Sequence, residues 1–168
     1  MHFNTNIYIQ KAQNKPMRLF IIIFSCFILP WTVGIIFFFK DKKIFTTIAP
    51  FAAILAFILN TIGIDLGLFY PLPVEYLKAN TVSIFADIGI LSVLSCMFIY
   101  LVAHTKIKPI ILNIVITVIA TSIDWIFIAT KFLEYDKGWN YLFSILMYFI
   151  SFGIINLYYL WLKKLAIL

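Results

Sequence analysis

Five apolar runs, each long enough to cross a bilayer as a helix, follow one another along this chain with short polar interruptions between them. The first, Leu19–Phe39, holds about 20 uncharged residues, the length a helix needs to span roughly 30 Å of hydrocarbon. It exceeds the apolar core of about 7–15 residues in a secretory signal and ends without a small-residue cleavage site. It therefore reads as an uncleaved helix, kinked at Pro30. Lys40-Asp41-Lys42-Lys43 is short enough only for a tight turn, so a second run begins near Ile44 and extends to about Tyr70, where Pro71-Leu72-Pro73 closes it. The third runs from about Thr81 to Ala103 and the fourth from about Pro109 to Thr130, with the basic turn His104–Lys108 between them. After the polar segment Lys131–Asn140, the fifth runs from about Tyr141 to Leu162. The expected fold is all-α: a single polytopic transmembrane bundle over 19–164, with tails at 1–18 and 165–168.

Composition agrees with the pattern. The 168 residues are 64% hydrophobic and only 12% charged, and a mean hydropathy of +1.04 leaves too little polar surface for a water-soluble domain. The net charge of +6 comes from lysines clustered beside the apolar runs, where membrane topology and anionic headgroups account for them, so no nucleic-acid partner is implied. Cys26 and Cys96 lie within apolar runs, away from metal-ligand spacing. Five spans put the termini on opposite faces. The compact clusters at Lys40, Lys42, Lys43, Lys106, Lys108, Lys163 and Lys164 favour a cytoplasmic C-terminus and an outer N-terminus in the cell membrane.

Candidate chemistry rests on three aspartates inside the apolar runs, Asp65, Asp87 and Asp124. A carboxylate in a bilayer core costs roughly 2.5–3.5 kcal/mol on insertion scales, so each requires a partner, an ion or a proton. Counted from the run ends, all three lie about 8–11 Å below one face. Helical spacing gives them polar company: Asn113, Thr117 and Thr121 with Asp124; Asn140, Ser144, Tyr148 and Ser151 on the fifth run; Thr61 with Asp65; Ser83 with Asp87. Lipid offers these groups no partners, so the stripes are expected to turn inward, with Lys131 as the nearest internal counter-charge to Asp124. Gly63 and Gly67 form a Gly-x-x-x-Gly step suited to close helix approach. His104 reads as a loop residue, and no nucleotide loop, catalytic-serine elbow or zinc motif is present.

Ser122-Ile123-Asp124-Trp125, followed by Tyr135-Asp136-Lys137-Gly138-Trp139-Asn140 and a last hydrophobic helix, resembles a family of small multi-pass membrane proteins of Gram-positive, largely spore-forming bacteria. Its members carry an acidic-Trp pair in the penultimate helix and Tyr-x-x-Gly-Trp-Asn before the last. The likeness spans about Lys40 to Lys164 and singles out Asp124, Trp125, Gly138, Trp139 and Asn140. It implies the membrane topology and no particular reaction.

Three functions compete on these residues. The first is a non-enzymatic membrane protein without cofactor, acting by association in the cell envelope with itself or another membrane protein. The second is a proton- or cation-coupled carrier that uses the carboxylates. The third is an intramembrane lipid-modifying enzyme with paired aspartates as acid and base or as holders of a divalent ion.

Overall fold

The computed structural model describes residues 15–71 and 78–168. The chain before Lys15 and the loop that carries Glu75 lie outside the described residues. Five helices form an all-α transmembrane bundle: α1 (Leu19–Lys40), α2 (Lys42–Asp65), α3 (Ala79–His104), α4 (Pro109–Ala129) and α5 (Tyr141–Lys164). Each is long and apolar enough to cross a membrane. α3 lies at the centre, packed against all four others. Its Cys96, Phe98 and Ile99 meet Ile48 of α2, Ile116 of α4 and Phe152 of α5 in the main core.

Large apolar side chains also cover the outside, among them Phe39, Ile54, Val118, Leu142 and Leu157. Buried positions include Asp87, Ser92, Ser95, Asn113, Thr117 and Ser144. This distribution suits lipid as the surrounding solvent, since polar groups find hydrogen-bond partners only inside the bundle.

α1 and α3 each contain one π-helical segment, Phe24–Ile28 and Asp87–Leu91, and these two segments pack on each other. Pro30 has no N–H to give the Cys26 carbonyl four residues back, and the widened turn lies immediately before it. Gly89 sits against that carbonyl. A Cβ on Gly89 would fall 1.8 Å from the Cys26 oxygen, so the glycine instead directs a Cα–H at it, in the geometry of a weak hydrogen bond. Trp31 reinforces the crossing by donating its indole N–H to the Ile88 carbonyl at 3.0 Å.

α2 stops at Asp65 rather than continuing to Tyr70, and the reason is local. Gly67 adopts a left-handed φ of +72°, its N–H bonds the Ile64 carbonyl and that of Leu68 bonds Gly63, both at 2.9 Å, which is a Schellman ending. α4 ends the same way with Lys131 (φ 58°) in the glycine position: Lys131 N–H bonds Ile128 at 3.0 Å and Phe132 N–H bonds Phe127 at 2.7 Å. Each ending turns the chain into a three-residue strand, β1 (Phe69–Pro71) and β2 (Leu133–Tyr135). The strands pair antiparallel, with Phe69 opposite Tyr135, Tyr70 opposite Glu134 and Pro71 opposite Leu133. The backbone N–H of Asp136 extends the pairing to the Leu68 carbonyl at 2.8 Å, and the Lys137 ammonium caps α2 through the Leu66 carbonyl at 2.7 Å. Two loops far apart in sequence thus become one ribbon across one end of the bundle.

Candidate functional site

Beneath the ribbon lies a cavity of about 100 Å³ bounded by all five helices and both strands. Strand alternation aims Phe69, Pro71, Leu133 and Tyr135 at it and leaves Tyr70 and Glu134 on the other face. Most of the wall is apolar, including Ile64, Ile90, Ala120, Phe127 and Met147. The polar lining comes from Asn60, Ser83, Asp124, Tyr135, Ser144 and Tyr148.

Asp124 is the focus of that polar side. Tyr148 of α5 donates its phenol O–H to Oδ1 at 2.9 Å, and Tyr135 of β2 donates to Oδ2 at 3.0 Å. The Tyr135 oxygen also lies 2.7 Å from Ser144 Oγ, which in turn lies 2.9 Å from Trp139 Nε1. With Asp124 ionised, donor inventory fixes the direction of this chain: an indole only donates, and each hydroxyl has a single proton. Trp139 therefore donates to Ser144, Ser144 to Tyr135 and Tyr135 to the carboxylate. Every proton points toward Asp124, and both of its oxygens act as acceptors. Burial pushes the Tyr135 phenol above its usual range, and the charge of Asp124 pushes it further.

The flanking sequence builds this relay. Gly138 takes a left-handed φ of +81°, which any Cβ would strain. Asn140 then N-caps α5, its Oδ1 accepting from Leu142 N–H at 2.9 Å and Phe143 N–H at 3.4 Å. That start places Ser144 and Tyr148, four residues apart, on the face opposite Asp124. Below them Asn113 Nδ2 ties α4 to α5 through the Phe149 carbonyl at 3.1 Å. Trp125 takes no part, because it lies on the outer face of α4 and is exposed.

The three aspartates do not meet. Asp87, only 1% exposed, accepts from Asn60 Nδ2 through Oδ1, while its Oδ2 has no partner. Asp65 is exposed at the end of α2 and is held by Asn80 Nδ2 at 3.3 Å. Its expected depth fails because α2 ends at that residue, so Asp65 stands at the rim instead of below it. Lys131 is likewise no internal counter-charge: the left-handed turn takes it off the face of α4, it is exposed, and among the described residues no ion pair joins it to Asp124. Ser83 lines the cavity while donating to the Asn80 carbonyl at 3.0 Å. Thr121 donates within its own helix to the Thr117 carbonyl at 2.9 Å, and the Thr61 hydroxyl is buried without a partner.

The Gly-x-x-x-Gly step does not pack two helices together. Gly67 forms the left-handed end of α2, and Gly63 makes room for the Phe69 ring, which a Cβ would approach to 2.4 Å. Sequence reasoning missed Asn60, an isolated amide inside an apolar run, and gave Tyr135 only as the start of the Tyr-x-x-Gly-Trp-Asn step, without its role beside Asp124. Their signal was the cost of an unpartnered amide or phenol in a bilayer-embedded protein. At the opposite end of the bundle, His104 Nε2 lies 3.7 Å from Asp41 of the first turn. No family model matches the chain, and neither a curated protein nor a solved structure matches it.

Proposed function

We propose that this integral membrane protein binds a small solute within its helix bundle, as a carrier or as the receptor subunit of a membrane complex. The observation that carries this reading is the cavity of about 100 Å³, apolar on most of its wall and polar around one carboxylate, the composition expected of a small-molecule site. Support for binding over catalysis comes from the cavity lining, in which Asp124 is the one carboxylate among the described residues. Asp87 and Asp124 hold different partners and offer no paired acid and base. With the compact lysine clusters on the cytoplasmic side, the ribbon and the cavity lie toward the outer face of the cell membrane.

Association with a second membrane protein has one observation in its favour: α1 is the least enclosed helix and turns Phe20, Phe24, Ile28 and Ile35 outward. Binding is tested by the thermal stability of the detergent-solubilised full chain against a panel of small solutes, for wild type and for Ala120→Leu, which fills the cavity. A ligand at about 100 times its Kd adds about 2.7 kcal/mol to the folded state. The expected result is stabilisation of wild type that Ala120→Leu loses. Equal responses of the two proteins to every solute would overturn the reading.

A further inference from the structure

We infer that the cavity selects a compact organic cation bearing N–H donors, a small primary ammonium of about four heavy atoms, with Asp124 as its anchor. The inference rests on the solute-binding reading above and adds the chemistry of the solute. Among the described residues, Asp124 is the only charged side chain in the lining, and no described lysine, arginine or histidine there neutralises it.

The hydrogen-bond polarity points the same way. Trp139, Ser144, Tyr135 and Tyr148 all spend their protons toward the carboxylate, which offers roughly four lone-pair sites and has two of them filled. The unmet demand is for a donor. A carboxylate or phosphate solute would meet repulsion from Asp124, and a neutral acceptor would find free, among the described lining residues, only the second N–H of Asn60 and the weak Cys26 thiol donor. Phe69, Phe127 and Phe132 supply aromatic rings in the same wall, which favour a cation over an anion wherever a ring face meets it.

Size narrows the class. An apolar cavity of about 150 Å³ takes benzene, with six heavy atoms, so about 100 Å³ suits a molecule of about four heavy atoms by the same proportion. A divalent metal is the poorer fit, because among the described residues no group of three or more His, Cys, Asp or Glu side chains could hold one. The ribbon contributes to the site: Tyr135 reaches Asp124 from β2, which forms one wall of the cavity, so a solute bound at the carboxylate lies beside the ribbon.

Isopropylamine and its neutral counterpart 2-propanol provide the test, titrated calorimetrically into the full chain in neutral detergent near pH 7. The amine is expected to bind wild type at least tenfold more tightly than the alcohol. Asp124→Asn is expected to remove that preference while leaving alcohol binding within about twofold. Equal affinity of wild type for amine and alcohol would overturn the inference without touching the solute-binding reading, and this comparison needs no variant to fold. Displacement of the amine by sodium or potassium chloride, but not by choline chloride at the same ionic strength, would also overturn it in favour of an inorganic cation. Binding of neither compound, with Ala120→Leu indistinguishable from wild type in the solute panel, would remove both readings together.

Discussion

Gly89→Ala tests how the two π-helical segments hold α1 on α3. An ideal Cβ at Gly89 would lie 1.8 Å from the Cys26 oxygen and 2.8 Å from both the Cys26 carbonyl carbon and the Phe27 Cα. Carbon–oxygen contacts settle near 3.3 Å, so the helices must separate by about 1.5 Å. The opposing atoms belong to the backbone, and no side-chain rotation can relieve the clash. Overpacking costs typically 1–3 kcal/mol and here belongs at the upper end, to which the lost Cα–H contact adds about 0.5–1 kcal/mol. Against this, replacing a helical glycine by alanine gains about 1 kcal/mol of intrinsic helix propensity. The net expectation is a loss of about 2–3 kcal/mol.

Gly153 of α5 supplies the internal control, since its Cβ would meet only the Asn113 amide nitrogen at 3.9 Å. Gly153→Ala should therefore keep the propensity gain of about 1 kcal/mol. Unfolding of both variants in mixed micelles with increasing sodium dodecyl sulfate, followed by helical circular dichroism, measures the difference. A Gly89→Ala protein as stable as wild type, or stabilised like Gly153→Ala, would refute the close crossing.

Lys131→Gly should raise stability by about 1 kcal/mol in the same assay, because the lysine occupies a left-handed position at φ 58° that costs an L-residue about 1–2 kcal/mol; an unchanged midpoint would count against that backbone. Tyr135 gives the fold a pH dependence on the alkaline side. Its folded-state phenol is raised above the usual value by burial and by Asp124, so its contribution is intact below the ordinary phenol range near pH 10 and is lost as pH climbs through the raised value. Tyr135→Phe should be less stable than wild type near neutrality and should show a shallower decline above about pH 10. Parallel declines in the two proteins would refute this assignment.

Five spans and their approximate ends were legible in the chain because apolar length is a local property, and a bilayer requires about 20 such residues per helix whatever the neighbours do. The carboxylates were legible for the same reason: Asp87 and Asp124 stand out against apolar surroundings in any register. The helical interval also predicted that Ser144 and Tyr148 share a face, as they do opposite Asp124. Asp65 and Lys131 were misplaced because a Schellman ending needs only one left-handed residue, and Lys131 adopts that conformation without being glycine.

The ribbon was decided by tertiary structure alone. Phe69–Pro71 and Leu133–Tyr135 are three-residue segments with no periodicity to read, and they pair only because α2 and α4 end at one face of the bundle with the same turn. From that pairing follow the ribbon wall of the cavity and the position of Tyr135 beside Asp124. Sequence set which groups must be buried and satisfied, since an intramembrane polar group has no water to turn to. Which partner satisfies each one depends on how five helices pack around α3, a matter of side-chain shape at contacts remote in sequence.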